Sequence, residues 1–167
     1  YEKIFILDHY LGKSCIYDAN ISNDDNTTEL KIYLDETDTV DHRLEYFDNV
    51  GIFKDMVQSH VLALISHFCP ELFDNINVND IFIKSVNIGQ YNGYKGKSTT
   101  DTFICLELKW KDIYIKIHTG KKLNFDRKQI IYKHITKEAS NINIISLKSK
   151  YQEYKILFQD ALVNNKT

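Results

Sequence analysis

Between residues 100 and 110 side chains of opposite character alternate: Thr102, Ile104, Leu106, Leu108 and Trp110 fall on one side of an extended chain, Phe103, Cys105, Glu107 and Lys109 on the other. A period of two marks a strand with one face buried and one wetter. Leu30, Ile32 and Leu34 alternate with Lys31 and Tyr33 in the same way, and strand patterns recur over residues 1–7, 81–88, 113–118 and 129–135. Lys111-Asp112 separates two of them at hairpin length, although the favoured glycine is lacking. A chain written this way has to build around a sheet.

Two stretches carry a helical period instead. Over residues 52–69, Phe53, Met56, Val57, His60, Leu64 and Phe68 recur every three or four positions, with Ile52, Val61, Leu62 and Ile65 widening the stripe. Pro70 disfavours helix at Cys69 and should end it. This helix is apolar almost all round and is expected to pack on two sides. Over residues 150–163, Tyr154, Leu157, Phe158, Ala161 and Leu162 share one helical face. Residues 14–28, rich in Asn, Asp, Ser and Thr, read as loop or disorder. The architecture expected is α+β: one large, mainly antiparallel sheet with helices packed on one face.

At 167 residues, a single domain burying about two-thirds of its unfolded surface is the expectation. A net charge of −2 lacks the basic face of a dedicated nucleic-acid binder, and no apolar run approaches the roughly 20 residues that span a membrane. Neither nucleic acid nor membrane is an expected partner. Cys15, Cys69 and Cys105 are odd in number and show no CxxC spacing, so neither disulfides nor structural zinc is expected, and a reducing, cytoplasmic compartment is. Since the chain opens on Tyr1 rather than methionine, a piece of a longer product is expected.

Candidate chemistry concentrates in few places. Asp8-His9-Tyr10-x-x-Lys13 sets a carboxylate, an imidazole, a phenol and an ammonium within six positions after a strand. His9, Tyr10 and Lys13 can hold a phosphate through charge and directional donors, or the segment is an ordinary polar turn. His60 on the apolar helical face is either a core histidine with satisfied nitrogens or a general base. A base needs an orienting carboxylate. On an α-helix Asp55, five residues earlier, lies about 140° away and is poorly placed, while Asp8 reaches His60 only through the tertiary fold. Glu36, Asp38, Arg43 and Tyr46 crowd the stretch before the helix, where carboxylates either accept from sugar hydroxyls or face water. His118, Lys121, Lys122, Arg127 and Lys128 form a basic cluster with a similar choice, phosphate or solvent. Gly93 to Thr99 imitates the end of a P-loop, but Tyr91 stands where its first glycine belongs, and no GxGxxG occurs. His42, His67 and His134 show no metal spacing.

Taken together, Asp8-His9-Tyr10-Leu11-Gly12-Lys13 is similar to the active-site signature of the glucose-6-phosphate dehydrogenase family. Glu36…Arg43…Tyr46-Phe47-Asp48…Gly51-Ile52-x-x-Asp55…Gln58-x-His60 resembles that family's next block in order and spacing. Gly89-Gln90-Tyr91, Ser98-Thr99-Thr100-x-Thr102-Phe103, Gly120-Lys121-x-Leu123-Asn124, Arg127-Lys128 and Gln159-Asp160-Ala161 continue the series, so the likeness covers most of the chain. The resemblance is to the C-terminal, substrate-binding part. It implies that His60 takes the proton from the C1 hydroxyl of glucose 6-phosphate, that Asp8 orients His60, and that His9, Tyr10 and Lys13 hold the phosphate. It further implies Glu36 and Asp55 on sugar hydroxyls, Lys121 beside the substrate, and Arg127 and Lys128 towards a second, structural NADP. Hydride transfer to NADP, 6-phosphogluconolactone as product, the first step of the pentose phosphate pathway and a homodimer formed through the sheet are implied in the same way.

Departures accompany the likeness. The family's nucleotide-binding domain lies outside these residues, so the chain alone is not expected to turn over. Residues 14–28 and 136–150 are shortened relative to the family, and His118 stands where arginine is common. The alternative is a non-catalytic module of the same family, for sugar-phosphate binding or dimerisation.

Overall fold

The computed structural model describes residues 8–17, 19, 26–135, 140–147 and 155. One turn of helix, α1 (Ser14–Tyr17), precedes strand β1 (Asn26–Asp35). A continuous helical run then follows: a 3-10 turn at Asp41–Arg43, α2 (Leu44–Ile52), a π-helical stretch (Phe53–Val61) and α3 (Leu62–Phe68). After two short 3-10 turns come strands β2 (Ile81–Gly89), β3 (Phe103–Trp110), β4 (Ile113–Gly120), β5 (Arg127–Ile135) and β6 (Ser140–Ser146). They form one sheet in the order β2-β3-β4-β1-β5-β6, antiparallel throughout except for the β1–β4 pair. The α+β architecture with helices on one face is as expected.

The alternation accounts for the core. Leu30 pairs with Ile115 and Tyr132, and Ile32 with Ile117 and Ile130, so apolar side chains line up across strands on one face. Onto them pack Phe47, Ile52, Met56, Val61, Leu64, Ile65 and Phe68 of the helical run, nearly all fully buried. Lys111-Asp112 does close the β3–β4 hairpin, with Lys111 at φ +52°, a left-handed value that glycine would adopt without strain.

Four expectations need correction. Residues 14–28 are not all loop: Ser14–Tyr17 is helical with Ile16 fully buried, and β1 starts at Asn26. The expected strand patterns omit β6, which lies within the 136–150 segment. The 100–110 strand begins at Phe103, because Thr102 turns its hydroxyl to accept from the Tyr91 N–H at 2.8 Å. The long helix is covered on its sheet side, while Phe53 on the opposite side is 51% exposed. The strand expected over residues 1–7, and the helix over 150–163 apart from Lys155, lie outside the described residues.

Gly51 explains why the helical period starts at Ile52. Its φ of +67° breaks α2, and a Cβ there would come within 3.0 Å of Thr100. Beyond the kink the hydrogen bonds skip five residues, as from the Leu62 N–H to the Val57 carbonyl. Wound in this way, residues five apart sit much closer to one face than on an α-helix. The 140° separation of Asp55 and His60 therefore does not apply, and both line one cavity.

Candidate active site

The site forms where the parallel pair ends. Because β1 and β4 run the same way with Asp35 opposite Gly120, the residues that follow, Glu36 and Lys121, emerge side by side. The Glu36 N–H donates to the Gly120 carbonyl at 3.0 Å, and the Lys121 ammonium is ion-paired with the Glu36 carboxylate. Lys121 is almost wholly buried, and a second carboxylate, Asp55, lies 3.7 Å from its Nζ.

Asp8 builds the first loop. Its carbonyl accepts from the Leu11 and Gly12 N–H groups, and its Oδ1 from the Tyr10 N–H at 2.8 Å, a self-closing Asx turn. The other oxygen, Oδ2, lies 2.5 Å from His60 Nδ1. Burial by itself would raise the Asp8 carboxyl, but the His60 hydrogen bond and charge, the Tyr10 N–H and nearby His9 outweigh it and hold it below the usual 3.8. Asp8 therefore stays ionised.

The His9 ring lies 4.8 Å from that of His60 and 4.2 Å from that of Tyr10. Lys13, buried, places its Nζ 5.4 Å from the centre of the Tyr10 ring. Burial, followed by the charges of Glu36, Asp8 and Asp55, pushes the Tyr10 phenol upwards, which keeps it a neutral donor. Asp8, His9 and His60 bring potential ligand atoms within 4.8 Å of one another, and of these the Asp8–His60 pair lies at hydrogen-bond distance.

A cavity of about 280 Å³ collects most of these groups: His9, Tyr10, Glu36, Asp55, His60 and Lys121 line it, with Asp38, Thr39, His42, Arg43 and Met56. Asp8 meets it through His60, and Lys13 through Tyr10. Lys128 approaches from β5, 3.8 Å from Glu36. Arg127 does not join them. Neighbouring residues of a strand point to opposite faces, and Arg127 turns to the open face of the sheet, where its Nε and Nη2 each lie 2.8 Å from Asp35 Oδ2. The likeness had grouped Arg127 with Lys128; the pleat separates them.

One wall residue was marked in the sequence, by a charged stretch and by the resembling block, but without a partner or a role. Arg43 grips both Asp55 oxygens, each at 2.8 Å. Twelve positions separate the two residues, and no periodicity links the turn before α2 to the π-helical stretch. A larger groove of about 460 Å³ lies elsewhere, beside β2; it is mostly apolar, lined by Phe53, Ile83, Val86 and Ile88, and contains none of the candidate residues.

Comparison with known proteins bears directly on this constellation. The family model described as glucose-6-phosphate dehydrogenase, C-terminal domain, matches residues 17–91. This chain resembles the C-terminal part of glucose-6-phosphate dehydrogenases. The glucose-6-phosphate 1-dehydrogenase of Helicobacter pylori J99 is 30% identical over 156 residues, covering 73% of this chain and 37% of that protein. That of Borreliella burgdorferi is 28% identical over 172 residues, covering 73% and 36%. The cytoplasmic isoform of Solanum tuberosum is 29% identical over 164 residues, covering 77% and 32%. The chain thus spans about a third of the length of these glucose-6-phosphate dehydrogenases. Among solved structures, the enzyme from Mycobacterium avium superposes with a TM-score of 0.58 at 18% identity, covering 92% of this chain and 50% of that one. A glucose-6-phosphate dehydrogenase in complex with its substrate glucose-6-phosphate gives 0.55 at 17%, covering 93% and 50%. At those identities the superpositions speak for the fold.

Proposed function

We propose that this chain supplies the substrate-binding and general-base part of an NADP-dependent glucose-6-phosphate dehydrogenase, which oxidises glucose 6-phosphate to 6-phosphogluconolactone in the first step of the pentose phosphate pathway. The observation that carries the reading is the 2.5 Å contact between Asp8 and His60 beside a cavity that offers both cations and acceptor-only carboxylates.

Each group has work suited to its chemistry. With Nδ1–H donated to ionised Asp8, His60 presents the lone pair of Nε2 and takes the proton from the C1 hydroxyl; Asp8 then stabilises the imidazolium. His9, Lys13 and the neutral Tyr10 phenol donate to the 6-phosphate. Glu36 and Asp55 accept from ring hydroxyls, and Lys121, held between them, sits beside the sugar. Such a base contributes roughly 10²–10⁴ in rate. NADP, when bound, supplies the hydride acceptor. Arg127 and Lys128 are the residues this reading directs to a second NADP, and their donor set suits a phosphate, although Asp35 already engages one edge of the Arg127 guanidinium. The two cations leave opposite faces of the sheet, Lys128 towards Glu36 and Arg127 towards Asp35. The thiols of Cys69 and Cys105 fit a reducing, cytoplasmic setting, and the open sheet face fits pairing with a second copy.

The test is NADPH formation from glucose 6-phosphate by the full-length polypeptide. His60→Ala and Lys13→Ala should each depress it strongly, the first in kcat and the second mainly through KM. Activity within a few-fold of wild type in both variants sinks the role assignment. The 167-residue chain alone should bind glucose 6-phosphate without turnover.

A further inference from the structure

Along one wall of the cavity five charged side chains alternate in sign. Arg43 holds Asp55, Asp55 lies 3.7 Å from Lys121, Lys121 is paired with Glu36, and Glu36 lies 3.8 Å from Lys128. Asp55 and Lys121 are almost entirely removed from water. In so dry a place a carboxylate beside an ammonium is pulled towards it, and the space between them closes. The Arg43 fork opposes that pull. It takes one lone pair from each Asp55 oxygen along a fixed direction, and each oxygen keeps another. Arg43 is itself steadied, its guanidinium lying 5.8 Å from the Phe47 ring centre.

We propose that Arg43 is a positioning residue of the cavity: its two-pronged grip fixes the Asp55 carboxylate as a hydroxyl acceptor and keeps it from collapsing onto Lys121. This rests on the reading of the cavity as the sugar-phosphate site. Charge alone is not enough for the task. A lysine at position 43 restores the positive charge but not the planar fork.

The experiment uses the full-length polypeptide with glucose 6-phosphate and its 2-deoxy, 3-deoxy and 4-deoxy analogues, comparing wild type, Arg43→Lys, Asp55→Asn and the double variant. With glucose 6-phosphate, Arg43→Lys should lower kcat/KM about tenfold, chiefly through KM, the size expected for one misplaced hydrogen bond to a charged group. With the analogue that lacks the hydroxyl taken by Asp55, the same substitution should cost about twofold or less. Added to Asp55→Asn, it should likewise change KM by about twofold or less. An equal loss with all four sugars, or no loss with any, overturns the proposal while leaving the site reading intact. If Asp55→Asn changes KM for none of the sugars, the site reading fails with it. Should Arg43→Lys not fold, Arg43→Gln, which retains one planar donor, replaces it in the same comparison.

Discussion

Two carboxylate–imidazole pairs of nearly the same geometry lie on opposite faces of the sheet. Asp8 Oδ2 is 2.5 Å from His60 Nδ1 on the helix side, and Asp35 Oδ1 is 2.6 Å from His118 Nδ1 on the open side. What separates them is the third partner. Asp35, fully buried, also receives Arg127, whose guanidinium stacks 3.7 Å above Tyr33 and comes within 3.4 Å of His118 Nδ1. A permanent cation already balances that carboxylate. Asp8 is held by the Tyr10 N–H and by two imidazoles, His60 and His9, and His60 faces a cavity. The same contact therefore borders a cavity in one place and is clasped by a third, cationic partner in the other, and the distance between the two atoms does not tell them apart.

Replacing each histidine by alanine puts the contrast to its hardest trial. In the full-length polypeptide His60→Ala should lower kcat by about 10²–10⁴, whereas His118→Ala should leave it within about threefold. Steady-state kinetics decides, and equal losses would break the comparison. Stability should respond the other way round. Asp35→Ala strands Arg127 beside His118 and should cost on the order of 3 kcal/mol, a little less than a fully dry pair because Arg127 is a third exposed. Asp8→Ala frees only a neutral-capable imidazole and a backbone N–H, and should cost about 1–2 kcal/mol in urea unfolding.

The smallest effect is in acid. Burial works against ionised Asp8, yet its contacts hold the folded carboxyl below 3.8, so its contribution to stability is complete above 3.8 and disappears as pH falls through the lower folded value. Asp8→Asn should accordingly show a smaller drop in urea midpoint between pH 6 and pH 2.5 than wild type, and an unchanged drop would mean that Asp8 is not held ionised by His60.

How much of this was legible beforehand follows from the range of the interactions. The buried sets of β1, β3 and β4 were readable because a period of two is written into neighbouring residues and one face is dry. β6 was not: Ile142 and Ile144 of this edge strand are well exposed, and with Asn141 and Asn143 alternating with them the segment carries no fully dry face to announce it. The π-winding of Phe53–Val61 was hidden as well, since its side-chain types suit an α-helix equally and the shift to five-residue hydrogen bonds leaves no mark in composition.

The order of apolar and polar residues by itself determined that a one-sided sheet would carry a long helix, and the sequence motifs marked which charged and aromatic side chains were candidates for a site. Only the tertiary structure decided that Asp8 meets His60 across 52 residues, that Arg43 rather than any nearer group holds Asp55, and that Arg127 and Lys128 part company. The reason is physical: periodicity records which way a side chain faces within its own element, whereas a hydrogen bond between elements depends on sheet order, on pleat and on a helix whose winding changes partway along.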